Sequence, residues 1–212
     1  ELVEADEAHA ELLKYNFRAT PNCRIHASKA ELILDELPEN GCVYLDPDRR
    51  PGGQRVFDFS ASQPDVLQLL PVLLKRYQQI MVKGSPMLDI TACLNQLQNV
   101  KNVYAICWQT ELKELLFEIE PGFNGKTKQH AILLATDGQV SHHYIGDEGD
   151  LPQIEAPREG QYLFEPHAGL IKTRLDREFA AKNELSAINS HAAWFVSEVF
   201  IADLPGRIWR IS

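Results

Sequence analysis

No run of about 18 apolar residues occurs in this chain, so nothing in it reads as a membrane-spanning helix. The opening ELVEADEAHA is acidic and has no apolar centre, and so does not read as a secretory leader. The two absences together predict a cytoplasmic protein. Cysteine is scarce as well: Cys23, Cys42, Cys93 and Cys107 stand far apart with no CxxC pair, which removes the usual zinc-ribbon and dithiol-redox spacings. Three of the four lie in or beside apolar runs and are expected to be buried thiols. Positive charge is also short. With 21 Lys and Arg against 30 Asp and Glu the net charge is −9, which excludes a protein that coats nucleic acid by charge alone. A local basic patch is still open, from Arg49, Arg50 and Arg55 or from Lys172, Arg174, Arg177 and Lys182. Neither a GxGxxG turn after a strand nor an internal repeat is found.

What is present is an ordinary globular composition, 44% hydrophobic and 24% charged over 212 residues, enough for one large domain or two smaller ones. Residues 1–146 alternate short strand-like runs with helical stripes, which predicts a parallel sheet built from βα units. Strands are expected at Leu2 and Val3, 23–26, 42–45, 79–83, 103–108 and 131–135. Helices are expected to carry Ala8, Leu12, Leu13 and Phe17, then 29–37, 64–77, 90–97 and a segment from Glu111. The polar stretch 147–160, rich in glycine, proline and carboxylates, is the expected linker. Residues 161–212 read as a small α+β unit, with Trp194, Phe195, Phe200 and Trp209 expected in its core.

The most chemically loaded segment is GCVYLDPDRRPGG, residues 41–53. Val43, Tyr44 and Leu45 suit a strand buried on both faces, and Pro47 has no N–H to continue a central ladder, so Asp46 is left at the strand's carboxyl end. Open α/β sheets bind ligands outside that edge. Asp46 could also be a turn or cap residue, and Arg49 or Arg50 could pair with Asp48 or Asp58 instead of clamping a phosphate. His142 and His143 are adjacent and should face opposite sides of a strand, a poor arrangement for a metal. His167 is expected in a turn.

The order LVEAD, strand and helix, YLDPDRR, MVKGSPMLD, then a strand leading to QTELKE resembles the class I S-adenosylmethionine-dependent methyltransferases. The segments YLFEPHAGLIKT and LPGRIWRI resemble the THUMP-like domain attached to a bacterial branch of that superfamily. The resemblance implies a Rossmann-like methyltransferase sheet over 1–146, whose first strand and glycine-rich turn are not found in this sequence, and a THUMP-like domain over 161–212. It implies S-adenosyl-L-methionine as cofactor. Glu4, or Asp6, would bind the ribose hydroxyls, since a carboxylate accepts two hydrogen bonds from a diol. Either could instead favour the start of a helix. Ser28 stands near the adenine position, where the family's usual acidic residue is replaced, and could form a capping box with Glu31.

Asp46 and Pro47 match the motif that holds an acceptor nitrogen, with Arg49, Arg50, Lys83 and Ser85 on the substrate side. The Asp-Pro-x-Arg loop is similar to that of RNA 5-methyluridine methyltransferases, but Gly84 stands where their nucleophilic cysteine would be. The resemblance therefore implies methylation of a nitrogen or oxygen, with RNA as partner by analogy with THUMP domains. A cofactor-deficient RNA-binding or scaffold module and a small-molecule methyltransferase are the alternatives.

Overall fold

The computed structural model describes residues 1–48, 59 and 62–212; Arg49, Arg50 and Arg55 lie outside the described residues. It begins with a parallel pair, β1 (Leu2–Glu4) and β2 (Ile25–Ala27), in register Leu2 with Ile25 and Glu4 with Ala27. Between them runs α1 (Glu7–Asn16), started by Asp6, whose carboxylate accepts from His9 N at 2.9 Å. The short α2 (Ala30–Ile33) continues into a 3-10 turn, Leu34–Glu36.

A second sheet is built from β3 (Cys42–Leu45), β4 (Gln79–Gly84), β5 (Val100–Trp108), β6 (Glu111–Ile119), β7 (Lys128–Leu134) and β8 (Val140–Gly146), in the order β3-β4-β6-β5-β7-β8. Strands β3 and β4 run parallel, β6 is antiparallel to both β4 and β5, and β5 is parallel to β7. The carboxyl ends of β3, β4 and β5 therefore share one edge. Helices α3 (Val66–Arg76) and α4 (Ile90–Gln96) follow β3 and β4 in sequence. In α3 the stripe Val66, Leu69, Leu70 and Leu73 is buried at helical spacing, and Asp65 caps the helix by accepting from Gln68 N at 3.1 Å. That stripe packs with Ile80, Val82, Val103, Leu115 and Phe117.

Three expectations fail here: the sheet is not the parallel one expected over 1–146, since β6 and β8 run antiparallel to their neighbours and β1–β2 pair apart from it. Residues 111–119 form strand β6, not a helix. Glu, Leu and Lys favour helix locally, but Leu115, Phe117 and Ile119 alternate inward and meet strands on both sides, so packing overrides propensity. Strand β3 is not buried on both faces: Tyr44 is 54% exposed and Cys42 is exposed. Among the described residues β3 is the edge of its sheet, with β4 its one strand neighbour. Cys93 and Cys107 are buried, as expected of free thiols.

The chain closes with an antiparallel sheet of β9 (Tyr162–Pro166), β10 (Ser186–Ala187), β11 (Phe195–Ser197) and β12 (Gly206–Arg210), ordered β10-β11-β9-β12. Helices α5 (Ala168–Lys172) and α6 (Asp176–Lys182) join it. Phe164, Leu170, Phe179 and Phe195 pack with Cys107, Ala131 and Leu133, so this unit shares its core with strands β5 and β7. The stretch 147–160 is fastened to both sides: Asp147 pairs with Lys126 at 3.2 Å, Glu148 with Arg174 at 3.2 Å, and Ile154 bridges to Ala187. No helix among the described residues is long and apolar enough to cross a membrane.

Candidate active site

The shared carboxyl edge gathers Asp46, Pro47, Ser85 and the turn at Gln109 and Thr110. Pairing of Leu45 with Val82 places Asp46 beside Lys83, and Lys83 Nζ donates to Asp46 Oδ2 at 2.8 Å. Glu114, two positions along β6 from Leu116, which faces Lys83, comes within 3.9 Å of the same ammonium. The Asp46 bond and charge raise the Lys83 pKa above its ordinary value against the opposing effect of burial. Tyr44 shares this face; burial raises its pKa, and the Asp46 charge adds to that. Sequence reasoning missed Glu114. The period-2 pattern of 111–119 was the signal for it.

Pro47 is buried while Asp46 is exposed, so the carboxylate projects from a fixed turn toward solvent. Backbone bonds from Asp48 N to Gln63 O, 2.8 Å, and from Gln63 N to Asp48 O, 3.0 Å, tie the end of this turn to Gln63. Ser85 is spent on its own turn, where its hydroxyl accepts from Met87 N at 3.2 Å. Gly84 faces the helix-covered core. A Cβ there would stand 2.9 Å from both Leu88 Cδ1 and Phe117 Cε2. A side chain at 84 would thus enter the core and not the site, which closes the covalent route at that position on geometry as well as on chemistry.

On the β1–β2 side, Glu4 ends β1 and its Oε1 accepts from Asp6 N at 2.8 Å. Its Oε2 has no partner among the described residues. Asp6 is the α1 N-cap, as its helix-start alternative supposed. Ser28 N donates to Glu4 O at 3.0 Å and the Ser28 hydroxyl to Lys29 O at 3.3 Å. The α2 N-cap is Lys29 and has no side-chain bond, so the Ser28–Glu31 capping box does not form. Glu4, Asp6 and Ser28 thus come together in one turn region. No hydrogen bond or ion pair joins these three to Asp46, Lys83 or Ser85.

Farther along the edge, His167 Nε2 donates to Gln109 O at 2.6 Å while its Nδ1 accepts from Gly169 N at 3.1 Å. The turn histidine therefore caps α5 and fastens the C-terminal unit to the β5–β6 turn. His142 and His143 do face opposite sides: His143 bonds His130 at 3.1 Å and His142 stacks on Tyr144. Lys172, Arg174 and Arg177 do gather, lining a cleft of about 910 Å³ with Asp89, Asp147 and Glu148. Arg174 is paired there with Glu148 at 3.2 Å, and burial lowers the pKa of Lys172. Lys182 is paired with Glu178 at 2.7 Å.

An open mixed sheet with helices and the carboxyl ends of β3, β4 and β5 on one edge defines an α/β fold, the kind of edge at which such sheets bind ligands. A solved structure is more particular. The chain matches a crystal structure from Porphyromonas gingivalis W83, a protein provisionally named a methyltransferase, with a TM-score of 0.80 at 24% identity over 99% of this chain. At that identity the likeness shows that the two chains share a fold, and no more. The chain spans about half of that protein's length, 54%. No family model and no curated protein matches it.

Proposed function

We propose that the chain carries the acceptor side and part of the cofactor side of an S-adenosylmethionine-dependent class I methyltransferase that acts on a nitrogen or oxygen of RNA. The observation that carries this reading is the Asp46–Pro47 turn at the β3 carboxyl end, with Lys83 on Asp46 at 2.8 Å, in a fold shared with a protein provisionally named a methyltransferase.

Glu4 fits the cofactor. One carboxylate oxygen is held by Asp6 N and the other has no partner among the described residues, which leaves acceptor capacity for a ribose diol at a strand end. When bound, S-adenosylmethionine would supply an electrophilic methyl on a sulfonium. The chain's own residues supply position. Asp46 would accept a hydrogen bond from the acceptor N–H or O–H and take its proton, while the rigid Pro47 turn sets the line of approach, a contribution that reaches several kcal/mol in well-oriented reactions. Lys83 and Glu114 would hold the Asp46 carboxylate.

A second reading, an RNA-binding or scaffold module without cofactor, draws on the separation of β1–β2 from the larger sheet among the described residues. Titration calorimetry with S-adenosylmethionine separates the two. Binding by this chain or by a longer natural form supports the enzyme; binding by neither overturns it.

A further inference from the structure

Five strands of the larger sheet place polar side chains on the face opposite the helices, and hydrogen bonds join these side chains in a row. Gln79 on β4 and Asn102 and Tyr104 on β5 all donate to Glu118 on β6. Asn102 continues the row to His130 on β7, with 3.0 Å between Asn102 Oδ1 and His130 Nε2, and His130 continues it to His143 on β8, with 3.1 Å between Nδ1 and Nε2. The row ends at a sheet edge, because β7 is the one strand neighbour of β8 among the described residues. Strand β8 is held from its other face too. Tyr144 packs edge-on against Phe179 of α6, 5.5 Å between ring centroids, and joins the core shared with the C-terminal unit. The imidazole pair therefore backs the strand on which that unit rests.

One residue sets the polarity of the row. An ionised carboxylate only accepts, so Glu118 takes a hydrogen from the Asn102 amide nitrogen at 2.7 Å and turns the amide oxygen toward His130. His130 Nε2 must then carry a hydrogen, which makes Nδ1 of the neutral ring an acceptor. His143 Nε2 must carry one in turn, which leaves its Nδ1 an acceptor on an exposed side chain. One added proton fits this arrangement. On His143 Nδ1 it disturbs no bond, and on His130 Nδ1 it meets His143 Nε2 once His143 has moved its own hydrogen to Nδ1. Two added protons do not fit, since both facing nitrogens then carry hydrogens and two cations stand 3.1 Å apart. Burial first, and then the His143 charge, lower the His130 pKa, with Glu118 opposing them and Lys128 adding to them. The other titratable groups on this side are Tyr104, its ring centroid 4.5 Å from that of His130, and Asp147 just past β8, which Lys126 and Lys128 flank at 3.2 and 3.8 Å.

We propose that His130 and His143 form a proton-sensitive latch, which pins the edge strand β8 to the sheet while the pair holds at most one extra proton and releases it when both rings are charged. In the released strand each ring meets water and ionises freely, so acid favours release. Because the latched state binds fewer protons than the released one, its contribution is complete above about pH 6.5, the ordinary histidine value, and is lost on acidification below that.

The test is amide hydrogen exchange of the whole nitrogen-15-labelled chain, read at the β8 amides that bond β7, with β6 amides as the internal reference and the intrinsic pH dependence of exchange divided out. Between about pH 7.5 and about pH 5 the protection of β8 should fall roughly five- to tenfold more than that of β6, the effect of one lost side-chain hydrogen bond. His143→Gln still donates to His130 Nδ1 but does not titrate, so it should keep the neutral-pH protection and lose the acid response. His143→Ala should show the low protection at both pH values. Circular dichroism checks that each variant is folded, and if His143→Ala is not, His143→Gln decides. Nitrogen-15 spectra of the histidine rings at about pH 8 should place the hydrogen of both His130 and His143 on Nε2. A His130 with its hydrogen on Nδ1, an equal acid response of β8 and β6, a His143→Gln variant that responds to acid like the wild type, or a β8 without protection at neutral pH each overturns the latch.

Discussion

Lys83 Nζ and Asp46 Oδ2 are joined at 2.8 Å across the β3–β4 ladder, so the lysine expected to line the substrate is already committed to the candidate catalytic carboxylate. Both groups are partly open to water, and such a pair contributes at most about 1 kcal/mol to stability. Its value lies in orientation. Lys83→Met should therefore shift the denaturation midpoint little while lowering methyl transfer about tenfold, with Lys83→Arg in between. Because the folded-state pKa of Lys83 is raised, its contribution is fully present at neutral pH and is lost only as pH climbs past about 10.4. Urea denaturation and initial rates on the same variants check both halves.

Asp46→Ala should abolish transfer while leaving cofactor affinity nearly unchanged, because Glu4 and Ser28, the candidate cofactor groups, make no contact with Asp46. Calorimetry and a labelled-methyl assay on one preparation measure the two quantities. Retained turnover would move the chemistry to another residue.

Gly84→Ala should destabilise the fold by about 1–3 kcal/mol, the usual cost of an added group in a packed core. The added carbon would meet Leu88 and Phe117 at 2.9 Å, and neither is at a mobile surface. Thermal melting checks it, and a melt equal to wild type would mean that Leu88 yields freely.

Glu118 accepts from Gln79 Nε2, Asn102 Nδ2 and Tyr104 Oη at 2.6, 2.7 and 2.5 Å, on the sheet face opposite the helices. Burial opposes its charge, but the three donated bonds outweigh it and lower its pKa. Burial, helped by the Glu118 bond, pushes the Tyr104 hydroxyl up to about 12. The signs differ. The Glu118 contribution is present above about pH 4.3 and fades on further acidification, whereas that of Tyr104 is complete below about pH 10 and fades between there and about pH 12. Ultraviolet titration of tyrosinate should show a late-ionising tyrosine that Tyr104→Phe removes.

Much of this architecture was legible in the chain. Strand β3 begins and ends where the apolar run 42–45 does, and the leucine stripe of α3 is the buried one, because both patterns are set by local alternation or helical period. Segment 111–119 was misread because its residue types favour helix and its inward alternation makes sense only between β4 and β5. Trp209, 41% exposed, and Phe200, 60% exposed, were placed inside with Trp194 because apolarity cannot tell the two faces of a strand apart when the neighbouring strands are unknown. At the site, the Asp-Pro turn was visible from the missing proline N–H. The Lys83–Asp46 pair and the His167–Gln109 bond were not, since each joins residues distant in sequence through strand register or domain packing.

The central claim is methyl transfer to RNA, and the most direct measurement follows labelled methyl from S-adenosylmethionine into total RNA and, in parallel, into a metabolite pool, using this chain and a longer natural form. Label should enter RNA at a nitrogen or oxygen and disappear with Asp46→Ala. Label confined to small molecules, or RNA labelling that survives Asp46→Ala, would contradict the account.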